Sequence, residues 1–349
     1  MKWNELTITG LGVFMPPATP LSEAVETGRY DPRDNRLNQL VATRISAAES
    51  APDMAVSAGR LALGRSGHEP GEISLVLHAS LYHQGQDFWT PASYIQHHTV
   101  SGGGPAVHIQ QGSNGGLAAW ELAACFMAAD SSRSAALVTT ADRYCEPGFD
   151  RWNSDIGVVY ADGATATVLS RRAGFAQICS MVSTSDPELE EMCRDTTGFT
   201  DRPHQDDRPL DLRTRKQRYV QKAGYGWIAE RLVSGTERNI RQALDEADTD
   251  LRSIRRVVLP NLGRGTLEWE FLEPMEIGPE RTLWDWGRHV SHLGAGDQAA
   301  GLAHLAETGQ LRPGDHVLLV GVGIGFSWTS VVVRIDSPPV WPEQSAAAP

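Results

Sequence analysis

Apolar residues fall in short clusters punctuated by Gly, Pro and Asp turns, a pattern that predicts strands alternating with small-residue helices. Leu6–Val13 is apolar and β-rich and stops at Phe14-Met15-Pro16-Pro17, as a strand entering a turn would. Met54–Leu63 carries small and apolar residues at helical spacing, and Ile73–His78 and Ala106–Gln110 read as strands. From Leu117 to about Ala129 the chain is apolar nearly all round (Trp120, Leu122, Phe126, Met127), which predicts a buried helix. Ala135–Thr140 is a strand, and Val158–Leu169 reads as a pair of strands broken at Asp162-Gly163.

The second half repeats the scheme. A helical region over Tyr219–Ala247 precedes a strand at Arg256–Leu259 and a turn at Pro260-Asn261. Gly294–Leu305 is helix-like and His316–Val320 a strand, and the Gly-alternating turn Gly321-Val322-Gly323-Ile324-Gly325 leads to a last strand at Ser330–Ile335. Each half thus has a strand, a buried small-residue helix and a second strand, and closes with a glycine turn into a β-run, which suggests a duplicated α/β architecture. The halves are assigned as 1–185 and 215–336. Between them, 186–214 is a polar, Pro-containing excursion, and 337–349 is a Pro- and Ala-rich flexible tail.

Composition adds mostly exclusions. With 41% hydrophobic residues, 21% charged and 34 Gly, the chain is ordinary globular material with ample apolar content for a large core. A formal net charge of −12 argues against a nucleic-acid partner, which needs concentrated Lys and Arg. No apolar stretch has the length of a membrane span, and Met1-Lys2-Trp3-Asn4-Glu5 lacks the apolar core of a signal peptide. The four cysteines show no C-x-x-C spacing, so reduced thiols and a cytoplasmic location are expected.

Ser113 lies between a predicted strand and the buried helix, flanked by Gly112, Gly115 and Gly116. Glycines permit the tight turn, and the helix N-terminus presents unpaired N–H groups and a positive dipole end suited to an oxyanion. A serine there still needs a base to become a nucleophile. Serine is also a strong N-cap, and on these residues alone the capping role stands first. Gln111 occupies the place where the nucleophile elbow of α/β-hydrolases has Gly, which weakens a hydrolase reading.

His289 and His292 are three apart, but no matching third ligand stands near and no H-E-x-x-H pattern occurs, so no metal is expected. His289 reads as a surface residue. The small residues after His292 would let it approach a cleft, which favours a base there. His97-His98 reads as loop surface. The Gly321–Gly325 alternation opens a β-run and not a helix, so a dinucleotide cofactor is rejected.

Three segments carry a resemblance over nearly the whole chain: Gln111-Gly112-Ser113-Asn114-Gly115-Gly116, Tyr160-Ala161-Asp162-Gly163-Ala164 and Gly323-Ile324-Gly325-Phe326-Ser327-Trp328. Together they resemble the ketoacyl synthase III family of the thiolase superfamily. The resemblance implies an α/β thiolase fold, five-layered αβαβα from two pseudo-repeated halves, and a homodimer. It also implies an acyl group received from acyl-coenzyme A or acyl carrier protein. Coenzyme A or phosphopantetheine enters as the substrate thioester, and no resident cofactor is expected.

The sequence departs from that family at three positions. Ser113 replaces the acyl-accepting cysteine, Asn261 stands at the family's histidine and His292 at its asparagine. The usual His and Asn stabilise the enolate formed on decarboxylation, so both replacements weigh against carbon–carbon bond formation. A serine followed by Ser291-His292-Leu293-Gly294-Ala295-Gly296-Asp297 is similar to a subgroup from antibiotic pathways. That subgroup includes the starter-unit protein of daunorubicin and doxorubicin biosynthesis and the ester-forming transferase of cervimycin biosynthesis. The resemblance therefore implies acyl transfer in polyketide or antibiotic biosynthesis: His292 as base, Ser113 as nucleophile, and the N–H groups of Ser113 and Ile324 as oxyanion hole. Asn261 would orient the acceptor. Asp297, five residues beyond His292, either orients the imidazole or is turned away by helical geometry. Phe88 and Trp89 belong either to the pocket wall or to the dimer core, and Phe326 is a further candidate to line the pocket. Starter-unit condensation with malonyl carrier protein, and a non-catalytic partner that selects starters, are the alternatives.

Overall fold

The computed structural model describes residues 1–194, 198, 199, 209–339 and 341. Nine strands form the main sheet: β1 (Thr7–Phe14), β2 (Ile73–Ala79), β3 (Ala106–Ile109), β4 (Ala135–Asp142), β5 (Gly163–Ser170), β6 (Ala176–Ser185), β7 (Ile254–Val258), β8 (His316–Gly323) and β9 (Ser327–Ile335). The helices that build layers are α1 (Ala51–Ser66), α2 (Pro91–Thr99), α3 (Gly115–Ala128), α4 (Leu212–Ala223), α5 (Tyr225–Glu246) and α6 (Asp297–Glu307).

The strand order is β3-β2-β4-β5-β1-β6-β9-β8-β7. Read outward from the β1–β6 seam, the two halves match: each has two antiparallel neighbours and then a parallel one. The seam itself is short, pairing only Thr7 with Gln177 and Ile8 with Ala176. Where β3 would have its counterpart, a single parallel bridge joins Val257 to Thr282.

Burial explains the layering. Helices α3 and α6 lie between the two sheet halves, with Leu117, Trp120, Leu302 and Leu305 in one core with Leu77 and Val138 from one half and Leu319 and Val331 from the other. A helix enclosed on both sides must be apolar all round. Outside, Met54, Ala58 and Ala62 of α1 cover β4 and β5, while Ile240, Ala243 and Leu244 of α5 cover β6, β7 and β9. The result is the five-layered αβαβα thiolase fold. Among the described residues no helix is long and apolar enough to cross a membrane. Cys125, Cys145, Cys179 and Cys193 are all free.

Several local expectations change. The segment over 158–162 is not a strand: it makes one bridge, Tyr160 to His292, and only β5 follows. The helical region at 219–247 is two helices, α4 and α5, separated by Gly224 at φ 88°. His97 and His98 sit in the last turn of α2, not in a loop. Strand β6, to which the sequence pattern assigns no element, lies at the middle of the sheet; its polar Ser180, Ser183 and Ser185 break the apolar run that would have marked it. Of the predicted excursion at 186–214, Pro187–Cys193 is 3₁₀ helix and α4 begins at Leu212. Residues 195–197 and 200–208 of it, and 340 and 342–349 of the predicted tail, lie outside the described residues.

Candidate active site

Strand β3 ends at Ile109, and the chain turns through Gly112 at φ 54° before α3 begins at Gly115. A Cβ at Gly112 would stand 2.7 Å from the backbone N of Ile324. Only glycine tolerates both the positive φ and that contact. The turn therefore brings the β8–β9 connection against the residue before Ser113. Asn114 holds the N-cap position of α3 and makes no capping bond; its buried amide donates instead to Gln111 Oε1, Ser327 Oγ and Thr329 Oγ1. Ser113 is thus relieved of capping, and its hydroxyl points elsewhere.

That hydroxyl meets His292, Oγ to Nε2, at 2.7 Å across 179 positions of chain. The histidine is seated by backbone pairing with the Tyr160-Ala161 turn: His292 N–H donates to Val159 O at 3.0 Å, and Ala161 N–H donates to His292 O at 2.8 Å. The turn is held in its turn by Asp162, fully buried, which binds both guanidinium nitrogens of Arg151 at 3.0 Å and accepts from the N–H groups of Ser46 and Tyr144. A bidentate pair of this kind fixes orientation as well as charge.

Behind the imidazole, His292 Nδ1 lies 2.5 Å from Asp297 Oδ2. After His292 the chain reverses through the 3₁₀ turn Gly294–Gly296, so the first residue of α6 comes back to face the ring. The Asp297 carboxylate also accepts from Leu293 N–H at 2.8 Å, Asn261 N–H at 2.9 Å and the Asn261 amide at 3.1 Å. Asn261 donates further to Ser291 O at 3.1 Å. Asn261 therefore grips the carboxylate and faces away from the cavity, the opposite of an acceptor-orienting position. His292 is 3% exposed and Asp297 0%, so their interaction is shielded from water. His289 is exposed.

Ser113 and His292 open onto a cavity of about 310 Å³, walled mainly by apolar side chains including Ile228, Leu232, Trp269 and Phe326. Gly323 and Ile324 line it beside the serine. Phe88 is fully exposed, and Trp89 packs edge-on against Tyr94, ring centroids 5.9 Å apart; neither lines the cavity. The sequence reading missed its polar residues: Tyr160 (noted only for its turn), Asp155, Lys216 and Glu270. Among the described residues no cluster of three or more His, Cys, Asp or Glu is arranged to hold a metal ion.

Ser113 thus stands just before a helix enclosed between the two halves of the sheet, with His292 against its hydroxyl. Models of 3-oxoacyl-[acyl-carrier-protein] synthase III match residues 107–187, and models of its C-terminal part match 244–335. The chain is 36% identical to the acyltransferase ChlB3, whose solved structure superposes with a TM-score of 0.92 over 97% of this chain and 100% of that one. This chain belongs to the ketoacyl synthase III-like enzymes of the thiolase superfamily. It is also 27% identical over 301 residues to the mycobacterial β-ketoacyl-[acyl-carrier-protein] synthase III of Mycolicibacterium paratuberculosis, covering 82% of each chain. The 3-oxoacyl-[acyl-carrier-protein] synthase III of Aquifex aeolicus shares the fold, with a TM-score of 0.76 and 21% identity over 94% of this chain and 99% of that one.

Proposed function

We propose that this protein is an acyltransferase that carries its acyl group as an ester on Ser113 and delivers it to a hydroxyl or a carrier-protein thiol. The single observation that carries this reading is the Ser113–His292–Asp297 relay, 2.7 Å and 2.5 Å between successive partners. His292 Nε2 takes the Ser113 proton as Oγ attacks the thioester carbonyl of acyl-coenzyme A or acyl carrier protein. The N–H groups of Ser113 and Ile324 hold the oxyanion, each such donor worth about 3 kcal/mol in the transition state. The carbon–sulfur bond breaks and the departing thiolate takes the proton from His292. In the second half the acceptor gives its proton to His292 and attacks the ester carbonyl, and Ser113 recovers the proton as it leaves. Asp297 keeps Nδ1–H as the donor, so that Nε2 remains the base.

Acyl transfer is favoured over decarboxylative condensation by where Asn261 points. Its amide is used by Asp297 and Ser291, which leaves the cavity without a donor pair for an enolate built from Asn261 and His292. The 36% identity to an acyltransferase supports the same choice. By resemblance, the proposal extends to a role in polyketide or antibiotic biosynthesis, as a homodimer in the cytoplasm.

Incubation with radiolabelled acyl-coenzyme A tests this. Label on Ser113 that then moves to an alcohol or a thiol is expected. Carbon dioxide release with malonyl carrier protein would mean starter-unit condensation instead. Absence of any label, with an unchanged pathway on Ser113→Ala, would leave only a non-catalytic partner.

A further inference from the structure

The cavity beside Ser113 holds more polar machinery than acyl transfer uses. Tyr160 packs edge-on against the His292 ring, centroids 5.4 Å apart, and its hydroxyl donates to Asp155 Oδ2 at 2.8 Å. The other oxygen of Asp155 accepts from Lys216 Nζ at 2.6 Å and from Ile156 N–H at 2.7 Å. Asp155 is thereby engaged through both oxygens. Lys216 keeps donors to spare, since an ammonium carries three. Burial alone would lower the Lys216 pKa, but Asp155 and its other neighbours outweigh it and hold the ammonium above its ordinary value.

Glu270 is the unexplained member. It is 7% exposed, lines the cavity, and makes no hydrogen bond or ion pair among the described residues. It sits in a π-helical turn, Glu268–Leu272, closed by a bond from Glu273 N–H to Glu268 O at 2.9 Å. Such turns recur at functional sites because they re-aim one side chain. Burial pushes its carboxyl up to about 7, with Lys216 drawing it down. Its oxygens face the cavity, where a ligand group can bond them.

The open valences are therefore the remaining Lys216 donors and the Glu270 oxygens, in an otherwise apolar space. A ligand carboxylate would face the anionic Asp155, and a ligand ammonium would face Lys216. A hydroxyl is donor and acceptor at once and suits both. Ser113 itself lines the cavity, so a group esterified to it has that space open to it. We infer that the acyl group carried by Ser113 bears a hydroxyl, which donates to Glu270 and accepts from Lys216. This rests on the acyl-Ser113 reading above and adds the chemistry of the acyl chain.

The test is a panel of acyl-coenzyme A thioesters, each skeleton with and without a hydroxyl at successive positions, scored by the rate of Ser113 acylation in intact-protein mass spectra. The wild-type protein should prefer one hydroxylated member over its plain counterpart by roughly 10- to 100-fold or more. That ratio should fall at least about tenfold in Glu270→Leu and in Lys216→Met. Glu270→Gln, which keeps the shape, should give an intermediate ratio if Glu270→Leu fails to fold. Acylation without hydroxyl preference at any position, or a ratio unmoved by the variants, overturns the inference and leaves the acyltransferase reading standing. A preference that appears only when the acceptor alcohol is varied would also overturn it. No acylation by any thioester would sink both.

Discussion

Asn261 donates both its backbone N–H and its side-chain amide to the carboxylate of Asp297, at 2.9 and 3.1 Å, from 36 positions away. The carboxylate that backs His292 is therefore held also by the segment that follows β7, and its angle to the imidazole does not depend on its own helix alone.

From this follows the first prediction. Asp297→Asn should keep the fold but present the wrong hydrogen-bonding partner to Nδ1, lowering the acylation kcat by roughly a thousandfold or more with KM little changed. Asn261→Ala removes one of the restraints on the carboxylate and should act more mildly, about 10- to 100-fold on kcat. A change confined to KM in both variants would exclude the positioning role.

His292 is expected to serve both half-reactions. His292→Ala should slow Ser113 acylation and discharge of the acyl-enzyme, each by roughly 100- to 10,000-fold. Single-turnover measurements with labelled thioester, followed by addition of acceptor, separate the two. Loss of only one half would assign the base of the other to another residue.

Close approach around the site can be probed at Gly116. A Cβ there would meet Ala295 O at 2.2 Å and Thr140 Cγ2 at 3.1 Å. Gly116→Ala should push α3 off the Gly294–Gly296 turn that leads into Asp297, at about 1–3 kcal/mol of stability. Thermal melts should show the loss, and acylation of the folded fraction should fall as well.

His78 supplies a pH dependence unrelated to catalysis. Fully buried, it bonds Thr139 Oγ1 at 3.0 Å and Gln84 Oε1 at 3.1 Å, and burial pulls its pKa from 6.5 down to about 3. Below pH 6.5 the unfolded chain takes up a proton that the folded chain refuses until about pH 3. Its contribution is thus intact above pH 6.5 and is lost as pH falls toward 3, about 2 kcal/mol of it by pH 5. His78→Gln should flatten the stability difference between pH 7 and pH 5, measured by denaturant melts. An unchanged slope would assign the acid sensitivity to other groups.

Local pattern carried much of this protein. The strand, glycine turn and apolar helix around Ser113, and the mirrored glycine turn at Gly323–Gly325, are short-range features, and backbone geometry and burial leave their marks in consecutive residues. The resemblance likewise draws attention to Ser113, Asn261 and His292 from the sequence alone. Tertiary structure decided what those side chains face. At helical period Asp297 would point away from a residue five places earlier, and only the reversal through Gly294–Gly296 turns it back onto His292. Asn114 holds the cap position without capping, its amide spent on Ser327 and Thr329 of β9. Strand β6 and the group of Tyr160, Asp155, Lys216 and Glu270 left no periodic trace, because serines break the apolar run of β6, and a cavity gathers single residues from distant segments. Contacts of that kind are set by how layers stack, which no window along the chain contains.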